Sequence, residues 1–384
     1  MPGSSVLKDF KVVDMTSILF GPYCTQTLAD MGADVVKIEP KQGDILRLIG
    51  NSRKTERMGP LHMTVNRGKR SVVWNPKEGQ GKEATRRIIA RSDIFIHNIR
   101  QEAAERLELT FEDVKKIKSD IIYVHCLGFS PNGPYSGQPA YDDLLQGLCG
   151  MTGLSSRVDG SGVPRFIPMA IADKVSGLHA AQATLGAIIE RDRTGKAVHV
   201  EVPMQECVTS FVLTDHLADG VFDPPGEMGY DRQLDPLRQP MKTKDGYIIL
   251  APYQDDRWLR TFKLLKCEHL LEDERLSDWL VRRKHFGLMQ QLITPFIEKE
   301  TSAHWIQVFS DNDIPVCQAY ELEDIMQDPH LKATGFFQKR EHPSEGPYLE
   351  MQPPINFKGS QARELNPAPK LGEHTDEVLN ELGL

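Results

Sequence analysis

The chain lacks most of the short motifs that announce a bound metal, nucleotide or membrane. Its six cysteines, Cys24, Cys126, Cys149, Cys207, Cys267 and Cys317, form no CxxC pair, which argues against zinc ribbons and redox dithiols. Several sit in apolar runs and read as small core residues. No GxxxxGK[ST] loop is present, so ATP consumption at a P-loop is not expected. No apolar stretch approaches the roughly 18 residues of a membrane span, and Met1–Asp9 contains no hydrophobic segment of the signal-peptide kind. Positive charge is also outnumbered. With 46 Lys and Arg against 54 Asp and Glu, the net charge is -8, which disfavours nucleic acid or anionic membrane as a general partner. One local basic pocket for an anionic ligand remains open. The expectation is a cytoplasmic protein with no nucleic-acid partner, no membrane and no metal.

What is present is a run of βα units. Phe10–Met15 reads as a short apolar strand, Ser17–Pro22 as a turn, Tyr23–Met31 as a helix stopped by Gly32, and Asp34–Glu39 as a strand dense in β-branched residues. This βαβ unit predicts a parallel, doubly wound α/β sheet. A dinucleotide fold would carry three glycines in that first turn, where they let a pyrophosphate approach the backbone. Only Gly21 is there, so NAD and FAD are disfavoured, although Glu39 stands where an acidic ribose ligand would. Further strands at Val72–Trp74, Asp93–His97, Ile121–Leu127 and Ala197–Met204 extend the pattern. Strand ends that run into polar or glycine-rich loops are the layout of a ligand-binding α/β face. From Asp219 the texture changes. A loop-like stretch, Gly220–Pro240, precedes a strand at Gly246–Pro252 and helices at Arg257–Leu265, Trp279–Glu298 and Ser302–Asn312. Residues 219–312 are expected to form a smaller α/β domain, with 1–218 and 313–384 forming a larger one from both chain ends.

Three features are candidates for chemistry. Asp173 opens a long apolar segment, Lys174–Ile189, read as a buried helix. A carboxylate at a helix N-terminus is stabilised as the anion, and the plain alternative is an N-cap. Arg67, Lys69 and Arg70 place three cations in four positions, either a solvated basic loop or a phosphate clamp with Trp74 beside it. Asp142 and Asp143 are paired acids; adjacent residues on a helix point in different directions, so capping is favoured over acid–base partnership.

These landmarks, taken together, resemble the family III CoA-transferases of the CaiB/BaiF type, a group that includes formyl-CoA transferase, carnitine CoA-transferase and α-methylacyl-CoA racemase. The resemblance is carried by Gly21-Pro22-Tyr23-Cys24-Thr25-Gln26, by Leu28 through Glu39, and by Gly43-Asp44 and Asn66-Arg67-Gly68-Lys69-Arg70-Ser71. It continues through Asn98, Gly133-Pro134-Tyr135, Asp173, Arg193-Thr194-Gly195-Lys196, Lys244-Asp245-Gly246-Tyr247, Ile314-Pro315-Val316, Asp328-Pro329 and Leu371-Gly372-Glu373-His374-Thr375. Any one of these is weak; so many in the same order are specific.

The resemblance implies a Rossmann-like, doubly wound CoA-binding domain built from both chain ends, a smaller α/β domain, and an interlocked homodimer in which each chain threads a ring formed by the other. It implies no tightly bound cofactor; coenzyme A and its acyl thioester enter as substrate, with a small carboxylic acid as the partner substrate. Asp173 aligns with the catalytic aspartate. Ile18, Leu19 and Phe20 would line the thiol end of CoA. Trp74, Lys77, Asn98, Arg106 and Met204 align with CoA-contacting positions, and backbone amides near Gly128 would stabilise oxyanions. With an ordinary pKa of about 3.9, an aspartate is anionic at neutral pH and can attack a thioester without a helper base.

Two positions depart from the family pattern. A polar first-turn residue of some transferases is replaced by Leu19 or Ser17, and a charged position after the fourth strand is Leu127. The alternative on the same scaffold is a racemase. Racemases carry a Gly-His-Asp run, which here reads Ala140-Tyr141-Asp142; tyrosine titrates near 10 and shuttles protons poorly at neutral pH, favouring the transferase. Arg232 and Arg238 stand in the expected small domain. They either recognise a second carboxylate on the substrate or pair with Asp231 and Asp235.

Overall fold

The computed structural model describes residues 3–384, which divide into two compact units. One comprises Met1–Met151, Phe166–Val212 and Pro329–Leu384; the other comprises Thr152–Arg165 and Leu213–Asp328.

The first unit holds a six-stranded parallel sheet. Its strands are β1 (Lys11–Met15), β2 (Asp34–Glu39), β3 (Lys69–Val73), β4 (Ile94–His97), β5 (Ile122–Leu127) and β6 (Val198–Pro203). The order is β3-β2-β1-β4-β5-β6, the doubly wound arrangement anticipated above. β1 is central: Val12 pairs with Val35 on one side and with Ile94 on the other. Because helices cover both faces, the strands are apolar runs rather than alternations, and Val12, Val13, Val35, Ile94, Phe95 and Ile96 are all buried. The helices that matter for the site are α1 (Phe20–Asp30), α2 (Gly79–Ala90), α3 (Gln101–Leu107), α4 (Asp142–Leu148), α5 (Ile171–Thr194) and α6 (Met204–His216). The far end of the chain returns to this unit. Val378 and Leu382 of the last helix pack into the core with Val36 and Val72, and Gly3–Ser4 pairs antiparallel with Ala362–Arg363.

The second unit is built on a three-stranded antiparallel sheet, with β8 (Tyr247–Leu250) between β7 (Met241–Lys242) and β9 (Val316–Gln318). Helices α7 (Asp255–Leu264), α8 (Phe286–Ile297) and α9 (Ser302–Ser310) close its core around Trp258, Phe262, Met289, Ile293 and Phe309.

Several local expectations change. The helix expected from Tyr23 begins at Phe20, so Pro22 sits in its first turn, where a missing N–H removes no helical hydrogen bond. The helix expected over Trp279–Glu298 is broken. Trp279–Arg282 forms one turn, and α8 starts at Phe286. The break serves Arg282, which is 4% exposed and donates to Asp255 and to the Leu276 and Ser277 carbonyls. The expected loop Gly220–Pro240 contains a helical turn at Asp231–Leu234. The antiparallel hairpin Phe337–His342 with Gly346–Met351 had no counterpart in the sequence reading.

Candidate active site

The turn after β1 lies where the strand order reverses, between the carboxyl ends of β1 and β4, the place where open α/β sheets bind ligands. Three consecutive residues of this turn are held through their backbone. Lys37 Nζ donates to the Thr16 carbonyl at 2.6 Å. Asn98, the first residue after β4, accepts the Ser17 N–H and donates to the Ser17 carbonyl, each at 3.0 Å. Asp44 Oδ1 accepts the Ile18 N–H at 3.0 Å, while its other oxygen pairs with Lys37 at 3.0 Å. Together they keep Ile18 at φ 67, a left-handed conformation that costs a β-branched residue about 1–3 kcal/mol.

Below the turn lies a buried charge network. Asp14 is fully buried; it accepts the Thr16 N–H and the hydroxyls of Thr16 and Thr25, and pairs with Lys69 Nζ at 3.5 Å. Burial alone would raise its pKa, but Lys37, Lys69 and the two hydroxyls outweigh burial and hold it below the ordinary range. The network fixes the turn and, with it, Phe20, whose N–H opens α1.

Asp173 occupies the first turn of α5 and is 9% exposed. The helix has no side-chain cap of its own. Instead, Asp142 Oδ1 accepts the Asp173 N–H at 3.0 Å from the start of α4. Gln146, one turn further on, donates to Asp142 Oδ2 at 2.7 Å, accepts the Ile167 N–H and donates to the Met169 carbonyl. The capping role expected of Asp142 is therefore present, though on a neighbouring helix. No cation pairs with Asp173 or Asp142 among the described residues. Burial pushes the Asp173 pKa up, and the Asp142 charge adds to it. The Phe20 N–H opposes both only in part, leaving it at about 7. Asp173 is thus not the ordinary aspartate of the sequence reading. It holds a proton near neutrality and is correspondingly more basic when ionised.

Close packing brings these groups together. A Cβ at Gly177, one turn along α5, would lie 2.8 Å from the Phe20 carbonyl oxygen. The absent side chain thus lets α1 approach α5. A Cβ at Gly128 would lie 2.2 Å from that of Ala140. The result is a cleft of about 270 Å³ lined by Ile18, Phe20, Asn98, Gly128, Met204 and Asp173. Arg100 and Tyr141 also face it.

The sequence profile described as CoA-transferase family III matches residues 7–375. The chain belongs to CoA-transferase family III. It is 28% identical to the (R)-2-hydroxy-4-methylpentanoate CoA-transferase of Clostridioides difficile, over 98% of this chain and 96% of that protein. It is 29% identical to the succinate–glutarate CoA-transferase of Agrobacterium fabrum, over 98% and 95%. Among solved structures, a CaiB/BaiF family protein from Brucella suis superposes with a TM-score of 0.83 at 29% identity, over 99% of this chain and all of that one. These matches run end to end, so this family III chain is an enzyme of the CoA-transferase kind.

Not all the residues that the family resemblance singled out line the cleft of this family III chain. Leu19 turns away, 6% exposed, and packs with Leu46 and Val65 beside an apolar groove. Trp74 is core: it is 9% exposed, packs against Val72 and Ala84, and donates its indole N–H to Thr85 at 3.0 Å. Lys77, before α2, and Arg106, on α3, are exposed and form no ion pair among the described residues. The phosphate clamp is overturned. Arg67 pairs with Asp30 at 2.5 Å, Lys69 is buried on Asp14, and Arg70 pairs with Asp34 at 2.7 Å and with Glu381. The three cations belong to β3 and the turn before it, and each meets a carboxylate of a neighbouring element. Glu39 is likewise structural, bound to Arg47 and Ser71; Arg47, the nearby Lys37 charge and Ser71 overcome its burial and lower its pKa to about 2. Sequence reasoning missed Arg100. The available signal was a basic residue just past the carboxyl end of β4.

Proposed function

We propose that the enzyme moves CoA from an acyl-CoA donor to a carboxylic acid acceptor, with Asp173 as the nucleophile. A carboxylate oxygen of Asp173 attacks the thioester carbonyl, the C–S bond breaks, and CoA leaves as the thiolate. The product on the protein is a mixed anhydride. The thiolate then attacks the aspartyl carbonyl, the anhydride C–O bond breaks, the donor acid departs, and an aspartyl-CoA thioester remains. The acceptor carboxylate repeats the sequence in reverse, regenerating Asp173 and a new acyl-CoA. Asp173 attacks in its ionised form, the later nucleophiles are a thiolate and a carboxylate, and one thioester replaces another, so no ATP and no net proton transfer are required.

The observation that carries this reading is a nine-tenths-buried carboxylate with no cation partner among the described residues, open to a cleft and facing the Phe20 N–H. Such a donor favours the oxyanion formed on the aspartyl carbonyl, and an amide near Gly128 would serve the acyl oxyanion. A salt-bridged carboxylate would be a poorer nucleophile. In this reading Ile18, Phe20, Asn98 and Met204 surround the thiol end of CoA, while Lys77 and Arg106, which have no carboxylate partner among the described residues, suit its phosphates. The CoA-binding domain, expected from sequence to be 1–218 with 313–384, is in this reading the first unit, Met1–Met151 with Phe166–Val212 and Pro329–Leu384, so that 152–165, 213–218 and 313–328 fall to the smaller one.

The test is to quench turnover with a donor thioester, digest the protein and weigh the peptide holding Asp173. An added mass equal to CoA or to the acyl group is expected. No adduct, with transfer undiminished in Asp173→Ala, would sink the proposal. Exchange of α-deuterium into an acyl-CoA without transfer would move the assignment to a racemase.

The chain is also proposed to work as an interlocked homodimer. Support comes from an apolar groove of about 560 Å³ in the first unit, where Met169, Leu178, Met351 and Ile355 are exposed. A contiguous apolar groove of this kind is a surface that a second chain could cover. Light scattering should give twice the 43.3 kDa chain mass; a monomer at working concentration would refute it.

A further inference from the structure

We infer that a pocket in the second unit, built around Arg232 and Arg238, binds small organic carboxylates. The inference concerns binding only and stands whether or not Asp173 is the nucleophile. The pocket measures about 240 Å³. Arg232 comes from the helical turn Asp231–Leu234, and its guanidinium carbon lies 4.3 Å from the Tyr253 ring centre and 4.5 Å from that of Phe286. The two rings fix the plane of the guanidinium without using its N–H groups. Its Nε–H is buried and has no acceptor. Arg238 enters the same pocket and donates only to Gln233, at 3.0 Å.

The nearby carboxylates do not neutralise these cations. Asp235 accepts the Leu237 N–H at 2.9 Å and the Gly287 N–H at 3.0 Å, capping α8 instead. That arrangement is built into the backbone, since a Cβ at Gly287 would lie 2.2 Å from Asp235 Oδ2. Neither arginine has a carboxylate within ion-pair distance among the described residues. The pairing with Asp231 and Asp235 considered from sequence is therefore absent. Two like charges in one pocket and a buried donor without an acceptor both disfavour the empty state.

The remaining walls select the ligand class. Gln290 is 6% exposed, lines the pocket, and its Oε1 has no donor. Its Nε2 reaches only the Leu250 carbonyl, at 3.4 Å. Pro240 and the exposed Ile249 give the pocket an apolar side. An inorganic anion would satisfy the guanidiniums and leave that side bare. A carboxylate with a short hydrocarbon stem fills both, and a hydroxyl on the stem would give Gln290 its missing donor.

The test is calorimetric titration of the full chain, without any CoA thioester, at constant ionic strength. Sodium butyrate, its methyl ester and inorganic phosphate are the three probes. Butyrate is expected to bind saturably, the ester not at all, and phosphate more weakly. Arg232→Ala and Arg238→Gln should each weaken butyrate about tenfold, the loss of one charge-assisted hydrogen bond. Arg238 is partly exposed, so its substitution leaves the fold intact and keeps the test decisive if Arg232→Ala unfolds. Butyrate binding unchanged in Arg238→Gln would overturn the inference, as would phosphate binding as tight as butyrate. Because transfer is not measured, failure here leaves the role of Asp173 standing, and failure of that role leaves this site standing.

Discussion

Asp14 and Asp173 are both buried carboxylates of the same unit, and their surroundings treat them in opposite ways. Asp14 lies beneath the first turn among two lysines and two hydroxyls, which hold its pKa below the ordinary range despite complete burial. Asp173 lies at the mouth of α5 beside another acid and a single backbone donor, and its pKa rises to about 7. Burial is common to both; what differs is whether positive charge is supplied. Where the carboxylate is structural, the fold provides cations. Where the proposed chemistry needs a free electron pair, it withholds them.

The contrast can be broken at several points. The largest effect is expected from Asp173→Ala, which should reduce transfer at least about a thousandfold while leaving CoA binding near the wild-type value. Steady-state rates and calorimetry would check the two halves separately. Asp14→Ala should act on stability instead. It strands Lys37 and Lys69 in the interior and is expected to cost about 3 kcal/mol in urea unfolding. Asp173→Asn sharpens the comparison by removing the proton equilibrium. The folded pKa of Asp173 is above its unfolded value of 3.8, so the folded state binds the proton more tightly. Its contribution to stability is full below about pH 4 and is lost as pH rises to about 7. The asparagine variant should therefore gain about 4 kcal/mol over wild type at pH 8 and show little difference at pH 4, as read from unfolding midpoints. Asp142→Asn removes the second cause of the raised pKa. The acid limb of the rate profile, expected near pH 7 in the wild type, should move to lower pH; an unmoved limb would detach Asp142 from the nucleophile. The smallest effect belongs to Asn98→Ala, which frees Ser17 from its two hydrogen bonds. It should raise KM for the thioester about fivefold with kcat nearly unchanged.

Much of the parallel sheet was legible because buried strands are apolar runs and their spacing with helices is regular. The β1–α1–β2 unit is the clearest case. The hairpin at Phe337–Met351 was not legible: it is antiparallel, its strands are only partly buried, and it carries charge at Lys339, Arg340, Glu341 and Glu350. The basic run from Arg67 to Arg70 misled for a related reason. A sequence displays three cations but not the carboxylates of Asp14, Asp30 and Asp34 that fold against them.

The sequence by itself determined the family, the doubly wound sheet and the position of Asp173 at the start of a long helix. Periodicity and ordered motifs are local properties of the chain and survive without coordinates. The tertiary structure alone decided that Asp173 would be deprived of cations and set beside Asp142. It also decided that Asn98 and Asp44 would clamp a left-handed Ile18, and that Arg232 and Arg238 would have no carboxylate partner among the described residues. Each of these depends on which distant side chains share a low-dielectric space, and electrostatic interaction falls off with distance in space, not along the chain.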